Sequence, residues 1–251
     1  MELVTNTIID SIERGWFPDW LTRALARRLC GQRLGELQRA NISAAEFARS
    51  MRCAPVAPVP EKANEQHYEL PAEFFALMLG PRLKYSCCYF GDQASTIEQA
   101  EMAALTQTCQ RAELANGMNI LELGCGWGSL TLWMLEHYPD ATVTAVSNSR
   151  WQRERILARA EKLGAGDRLT VITADMNDFD IDETFDRVVS CEMFEHMRNY
   201  QELLRRVAGW LNPDGKLFVH IFCHQDFIYE FQSEGASNWM GRYFFTGGIM
   251  P

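Results

Sequence analysis

At 251 residues, of which 47% are hydrophobic, the chain is long enough to form one domain with a buried core and a smaller appendage. Its net charge of −9 gives no basic footprint for nucleic acid. No apolar run approaches the roughly 20 residues of a membrane span, and the N-terminus lacks the basic segment and apolar core of a secretory signal. We therefore expect a cytoplasmic protein without stable membrane insertion.

The charge is unevenly spread along the chain. Residues 1–60 carry eight Arg against six Asp and Glu, a net charge of +2, which leaves −11 for the remainder. An acidic main part suits a cationic small molecule better than a phosphate backbone. The eight cysteines are scattered, and no pair has C-x-x-C or zinc-ligand spacing. We expect reduced thiols, mostly buried, and no metal site.

The N-terminal part has a helical pattern. Through residues 1–53, apolar residues such as Ile8 and Ile12 recur at roughly helical spacing. The segment CAPVAPVPEKAN that follows holds three prolines within six residues, which disfavours both a helix and an inner strand. We therefore divide the chain into a helical appendage with a Pro-rich linker, residues 1–60, and a second unit, residues 61–251.

Helical and strand patterns alternate in the second unit, with short links between them. The predicted elements are helix 97–115, strand 120–123, helix 128–138, strand 142–146, helix 150–163, strand 169–173, strand 185–190, helix 197–211 and strand 216–222. Such alternation predicts an α/β fold with a mostly parallel, doubly wound sheet. Its ligand is expected beyond the carboxyl ends of the strands.

A glycine-rich turn follows the first predicted strand, in the run ILELGCGWGSL. Gly124, Gly126 and Gly128 have no Cβ, so the backbone can adopt positive φ and approach a ligand closely. Glu122 can accept hydrogen bonds from ligand donors. The spacing differs from the G-x-G-x-x-G of dinucleotide folds and resembles motif I of Rossmann-like S-adenosylmethionine (SAM) methyltransferases. The alternative is a turn with only a packing role.

The second strand ends in TVTAVSNSRWQ, where a dinucleotide enzyme presents an acidic residue to the ribose. Ser147, Asn148 and Gln152 offer neutral hydrogen-bonding groups instead, which argues against NAD. A plain helix N-cap at Ser149 is the structural alternative, and both interpretations are compatible.

The third strand is followed by Asp175 and Met176, where adenine is expected. A carboxylate can accept from the exocyclic amine, and a thioether can cover the ring face. The alternative for Asp175 is a turn residue.

After the fourth strand, the run SCEMFEHMRNY brings Glu192, Glu195 and His196 within five residues. A carboxylate can hold an ammonium substrate, and an imidazole titrates near neutral pH and can take its proton. Methylation of an amine needs that step, because only the neutral nitrogen has a free lone pair. The alternative is a solvated start of a helix.

The runs YSCCYF, GCGWG, CEMFEHM, LFVHIF and GGIMP together resemble the cyclopropane-fatty-acid-synthase-like branch of SAM methyltransferases, and within it the coclaurine N-methyltransferase type. The resemblance covers about residues 60–251. It implies a Rossmann-like SAM methyltransferase sheet with an N-terminal helical appendage. Such enzymes normally add an antiparallel strand pair beside the fifth strand, and the tail from His224 to Pro251 shows none, so we expect missing C-terminal strands and a truncated or shortened chain.

The resemblance also assigns residues to the chemistry. In the lipid enzymes a bicarbonate base is held by residues that fall on Cys87, Glu195 and His220. In the alkaloid enzymes the E-M-F-E-H run supplies the amine-side catalytic residues, which here are Glu192, Glu195 and His196. Cyclopropane synthases carry a small residue in place of Glu192, which argues against lipid cyclopropanation.

Other aromatic and polar residues have two interpretations each. Tyr85 and Ser86 belong to the implied cofactor site, where Tyr85 covers the methionine portion of SAM or serves as a core aromatic. Cys87 is a relic of a bicarbonate site or a wall of the pocket. His224 is structural or part of a lid. Four aromatics either cradle a cation in the substrate pocket or pack in a helical cap, namely Trp239, Tyr243, Phe244 and Phe245.

We therefore predict a SAM-dependent N-methyltransferase acting on a small-molecule amine, with bicarbonate as a further candidate and a homodimer left open. The transfer needs alignment and deprotonation and no metal. One alternative is a lipid methyltransferase acting on unsaturated acyl chains. Another is a catalytically idle SAM-binding partner subunit.

Overall fold

The computed structural model describes residues 2–67, 71–92, 94–235 and 238–251. The helices are α1 (Glu2–Glu13), α2 (Asp19–Ala40), α3 (Ala44–Met51), α4 (Pro60–His67), α5 (Ala72–Met78), α6 (Ile97–Arg111), α7 (Ser129–His137), α8 (Arg150–Lys162) and α9 (Tyr200–Trp210). The strands are β1 (Asn119–Leu123), β2 (Thr142–Ser147), β3 (Leu169–Thr173), β4 (Phe185–Cys191), β5 (Leu211–His220), β6 (Tyr229–Glu230) and β7 (Ile249–Met250).

Five strands form one sheet in the order β3-β2-β1-β4-β5, and every neighbouring pair is parallel. Alternate side chains point to opposite faces of a strand. Ile120 of β1 therefore packs in a core cluster on one face of the sheet, and Leu121 packs in another cluster on the other face. The predicted doubly wound sheet is confirmed, with the strand order reversing beside β1.

Several boundaries differ from the predicted ones. Helix α9 begins at Tyr200, because Asn199 caps it by accepting a hydrogen bond from the backbone N–H of Glu202. Strand β5 begins at Leu211, directly after α9 and five residues before the predicted start. Helix α6 ends at Arg111 instead of residue 115, since Glu113 adopts a left-handed φ of 53°.

The tail contains two short strands that its sequence pattern does not indicate. Strands β6 and β7 pair antiparallel with each other and form a separate two-stranded sheet. They do not extend the main sheet, so β5 stands at its edge within the described ranges.

The Pro-rich segment is ordered against the main unit. Val56 and Ala57 are buried, and the backbone of Ala57 exchanges two hydrogen bonds with the side chain of Asn177, at 2.9 and 2.8 Å. Helix α4 begins at Pro60, inside the stretch predicted to exclude helix, because proline is tolerated in the first turn of a helix. The segment thus lies against the end of the sheet and reaches the cavity described below.

The first two helices contribute little to the core. None of the 22 residues of α2 is buried, and the side chains of Trp16 and Trp20 are exposed. Helix α3 does pack, with Phe47 and Met51 against Ile249 of β7. Within the described ranges, no helix has both the length and the apolar character that a membrane crossing requires.

The cysteines are less buried than the sequence suggested. Only Cys109 and Cys125 are buried, while Cys30, Cys53, Cys87 and Cys223 are exposed. The expectation of mostly buried thiols is therefore wrong.

Candidate active site

A cavity of about 570 Å³ lies beyond the carboxyl ends of β1, β2 and β4. This is the position that a doubly wound sheet favours for its ligand. We use "cofactor half" for the part of its wall made by the predicted cofactor residues Tyr85, Ser86, Glu122, Gly124, Gly126, Ser147, Asn148, Gln152 and Met176. Gly128 and Asp175, predicted with them, do not line the cavity.

The three glycines after β1 all have left-handed φ angles, but their surroundings differ. A Cβ on Gly124 would meet the Met193 side chain at 2.7 Å, and one on Gly128 would meet Ile156 at 2.6 Å. A Cβ on Gly126 would meet no atom within 4 Å, because this residue faces the cavity. Gly126 thus leaves space for a ligand, whereas Gly128 allows close packing of α7 on α8.

Glu122 lies near the end of β1 with only 3% of its surface exposed. Its Oε2 accepts a hydrogen bond from the Thr131 hydroxyl, at 2.5 Å. Burial raises the pKa of Glu122 to about 7. A cationic group of a ligand in the cavity would favour the ionised carboxylate and oppose that rise.

The polar groups after β2 form a connected set. The Ser147 hydroxyl donates to Oε1 of Gln152, at 2.5 Å, and accepts from the backbone N–H of Ser149. Nε2 of Gln152 is buried without a hydrogen-bond partner among the described residues. Asn148 donates to the Pro60 carbonyl, at 3.2 Å. Since buried donors are rarely left unpaired, a nucleoside acceptor fits at Gln152.

The two residues after β3 have different positions. Met176 is buried and lines the cavity, as a residue that covers a ring would. Asp175 does not line the cavity, and its carboxylate accepts the backbone N–H of Asn177 at 2.8 Å. This is the turn geometry that short polar side chains favour. A contact between Asp175 and adenine stays a prediction.

The opposite wall of the cavity, which we call the amine half, is made by Glu192, His196, Phe222, Phe244 and Phe245. The His196 ring stacks on Phe245, with ring centroids 4.3 Å apart. Phe222 packs edge-on against Phe245, at 5.5 Å. An imidazole, a carboxylate and aromatic faces thus converge on one space. Trp239 and Tyr243, which the sequence assigns either to this wall or to a helical cap, are exposed and do not line the cavity.

The Glu192 carboxylate is directed by an unusual backbone. Its φ is 53°, a strained value for glutamate, and its N–H donates to the His220 carbonyl at 2.8 Å. The carboxylate accepts from the backbone N–H of Cys87 at 3.2 Å. Cys87 Sγ lies 3.9 Å from Nε2 of His220. The Cys87 sulfur, a carboxylate oxygen of Glu192 and a ring nitrogen of His220 all lie within 4.8 Å of one another. Cys87 and His220 therefore contact Glu192, and neither of them lines the cavity.

Glu195 is fully buried and supports the amine half from behind. One carboxylate oxygen accepts the Phe222 N–H at 2.8 Å, and the other has no hydrogen-bond partner among the described residues. Burial raises the pKa of Glu195 to about 7. This side chain holds the cavity wall at Phe222 and does not face the cavity.

Some residues of the site lie outside the predicted set. Ala57 and Pro60 line the cavity although the sequence assigns them to a linker, and Trp127 and Lys84 line it as well. Trp127 belongs to the glycine run and Lys84 directly precedes YSC, so closeness to those motifs is the signal that points to them. His224 has a structural role, since its Nδ1 accepts two backbone N–H groups in a turn.

The model of a family described as mycolic acid cyclopropane synthetase matches residues 59–251. The chain belongs to this family. It is 36% identical to (S)-coclaurine N-methyltransferase of Thalictrum flavum subsp. glaucum over 97% of this chain and 68% of that protein. It is 33% identical to cyclopropane-fatty-acyl-phospholipid synthase of Escherichia coli K12 over 75% of this chain and 46% of that protein.

Among solved structures, coclaurine N-methyltransferase bound to N-methylheliamine and S-adenosylhomocysteine (SAH) superposes with a TM-score of 0.91 at 33% identity. The match covers 98% of this chain and 72% of that one. The Rossmann-like methyltransferase fold and the resemblance indicated by the sequence are confirmed. The chain is an enzyme of the SAM-dependent methyltransferase class.

Proposed function

We propose that this chain transfers the methyl group of SAM to the nitrogen of a small amine. The observation that carries the proposal is the Glu192 carboxylate, held by a left-handed backbone beside His196 in a cavity with aromatic walls. A carboxylate and aromatic faces are the groups that recognise an ammonium ion. The likeness to coclaurine N-methyltransferase supports the same substrate class.

The cofactor half fits SAM on two counts. Gly126 leaves open space at the glycine turn, and the buried Nε2 of Gln152, which has no partner among the described residues, offers a donor for a nucleoside. When bound, SAM supplies an electrophilic methyl group on a sulfonium. We propose that SAM is held by Gly124, Gly126, Ser147 and Gln152. Its methyl group would then face Glu192 and His196.

The amine half is proposed to bind and deprotonate the substrate. Glu192 pairs with the ammonium form, and His196 takes the proton so that the nitrogen regains its lone pair. The nitrogen then forms the N–C bond while the C–S bond breaks, and that electron pair stays on sulfur, leaving SAH. Glu195 acts as a positioning residue through the Phe222 backbone.

Bicarbonate has no place in this proposal. Cys87, Glu195 and His220 would hold it in the lipid enzymes that the sequence resembles. Here the Glu192 carboxylate accepts the Cys87 N–H and lies within 4.8 Å of the His220 ring nitrogen. A second anion at that position would be repelled by Glu192.

We also propose that residues 1–60 are a helical appendage with a linker, and that residues 61–251 are the methyltransferase unit. The exposed helix α2 and the family match from residue 59 support this division.

The test is mass spectrometry of a broad amine library incubated with SAM and the full chain. We expect a mass increase of one methyl group on an amine. Methylation or cyclopropanation of an unsaturated phospholipid that depends on bicarbonate, without any amine product, would overturn the proposal. A chain that binds SAM but modifies neither class would be an idle cofactor-binding protein.

Glu192→Gln makes the amine test specific. We expect the KM for the amine to rise, or kcat to fall, by about tenfold or more, because a hydrogen-bonded charge pair is lost. The affinity for SAH, measured by calorimetry, should stay the same. Glu183→Gln removes an exposed carboxylate and is the matched control. Unchanged kinetics in Glu192→Gln would remove this residue from substrate binding.

A further inference from the structure

Lys84 is a buried cation that no role described above uses. Only 5% of its surface is exposed, and it lines the cavity beside Tyr85 and Ser86. Its Nζ donates to the Ser86 hydroxyl. Within the described ranges it takes part in no ion pair with a carboxylate. A buried ammonium without a counterion is costly, so an anionic partner is expected in the cavity.

The backbone around Lys84 is fixed in place from behind. Glu101 is fully buried in α6, and its two carboxylate oxygens accept the N–H groups of Arg82 and Lys84, each at 3.0 Å. Leu83 between them has a left-handed φ of 54°, which is strained for leucine. The carboxylate of Glu101 is therefore committed to the backbone, and the turn that it stabilises directs Lys84 inward.

The position of the ammonium can be located from its neighbours. The backbone N–H of Cys87 donates to the carboxylate of Glu192, which directly follows β4, at 3.2 Å. Because Nζ of Lys84 donates to Ser86, the residue next to Cys87, the ammonium lies near the end of β4. Ser147 and Gln152, the proposed nucleoside contacts, lie at the end of β2 and in α8, and β2 is on the other side of β1 from β4. Lys84 therefore lies at the end of the cavity away from them.

Glu122 provides the complementary charge. It is almost fully buried and lines the same cavity, and it forms no ion pair with Lys84. A buried anion and a buried cation that face one cavity without touching suit a zwitterionic ligand. The α-amino acid end of SAM has this chemistry, with one carboxylate and one ammonium group.

We propose that Lys84 binds the α-carboxylate of the methionine portion of SAM, with Glu122 facing its ammonium group. This inference rests on the proposed SAM site and adds its orientation, with the nucleoside after β2 and the carboxylate at Lys84. Ser86 shares the contact through its hydroxyl. Lys84 is thereby a specificity residue that favours SAM over analogues without a carboxylate.

The experiment is calorimetric binding of SAM and of decarboxylated SAM, which lacks only the carboxylate. We expect the wild-type protein to bind SAM at least about tenfold more tightly. Lys84→Met should weaken SAM binding by about tenfold or more and leave the binding of decarboxylated SAM nearly unchanged. Lys84→Arg should restore part of the preference. Lys216→Met, at an exposed lysine on the other end of the sheet, is the matched control.

Two results would overturn the inference. Equal affinity of the wild-type protein for both ligands would show that the carboxylate has no partner, and this measurement needs no variant. Equal weakening of both ligands in Lys84→Met would assign Lys84 a purely structural role. Amine methylation is assayed separately. A chain that discriminates through Lys84 but methylates no amine would retain this inference and overturn the proposed function.

Discussion

The two halves of the cavity are built in different ways. The cofactor half uses mainly backbone space and polar side chains close in sequence to the ends of β1 and β2, such as Gly126, Ser147 and Gln152. The amine half is assembled from distant segments, since Glu192 follows β4, Phe222 follows β5 and Phe245 belongs to the tail. A change in the first half should therefore affect every ligand that contains a nucleoside, and a change in the second should affect the amine alone.

The largest expected effect belongs to the cofactor half. Gly126→Val should abolish the binding of SAM and SAH, because the side chain would fill the space that the cavity leaves at this turn and valine is strained at a φ of 52°. Isothermal titration calorimetry with SAH measures this loss of affinity. Gly164→Val is the matched control, since Gly164 also has a left-handed φ and open space but lies outside the cavity. Unchanged SAH affinity in Gly126→Val would contradict the glycine-turn assignment.

His196→Ala should separate the two halves most clearly. If His196 is the general base, its removal lowers turnover by about 10² to 10⁴. The affinity for SAH should not change, because the cofactor half is intact. Steady-state kinetics and calorimetry on the same sample measure both quantities, with His137→Ala as a control away from the cavity. Full activity would remove His196 as the base and assign the proton to water.

Glu195 links the amine half to the stability of the fold. Its pKa is raised by burial from 4.5 to about 7. Between these values the folded protein keeps a proton that the unfolded chain releases, so the free energy of unfolding falls as the pH rises through this window. The loss above pH 7 is roughly 3 kcal/mol. Glu122 has the same raised pKa, so it adds a parallel fall.

Glu195→Gln isolates this contribution, because glutamine keeps an acceptor for the Phe222 N–H and carries no charge. Urea unfolding at several pH values should show a shallower fall between pH 4.5 and 7 than in the wild-type protein. Glu183→Gln, at an exposed position, should not change the slope of the free energy of unfolding against pH. Identical slopes in Glu195→Gln and the wild type would mean that the pKa of Glu195 is not raised in the folded protein.

The contrast between the halves also explains what the sequence could predict. The glycine turn and the set after β2 are contiguous in sequence, and their geometry follows from local strand-turn-helix rules. Position after β3 alone predicts an adenine contact for Asp175, whereas its carboxylate accepts the backbone N–H of Asn177 in its own turn. Ala57 reaches the cavity through a tertiary contact with Asn177, which no local pattern reveals. Lys84 adjoins the YSC motif in the sequence, but the turn that directs it inward depends on a tertiary contact with Glu101.

The sheet shows the same division between local and tertiary effects. Its order and the C-terminal location of the cavity follow from β/α alternation alone. Strand β5 starts earlier than its apolar run because Phe185 of β4 pairs with Leu211, before a shift in register. The short strands of the tail form because Tyr229 pairs with Met250. These residues lie too far apart in the sequence for a local pattern to indicate the pairing.

The smallest expected effect concerns the aromatic wall of the amine half. Phe245 stacks on His196, packs edge-on against Phe222 and lines the cavity together with Glu192, so we expect its ring to form part of the wall that a bound cation meets. Phe245→Leu keeps an apolar residue but removes the ring, and the loss of a cation–π contact should raise the KM for the amine by about threefold to tenfold. Affinity for SAH should not change. Tyr243→Leu removes a nearby aromatic that is exposed and does not line the cavity, and should leave the KM as it is. Equal effects of the two substitutions would mean that the tail contributes only packing, and that Glu192 and His196 alone recognise the amine.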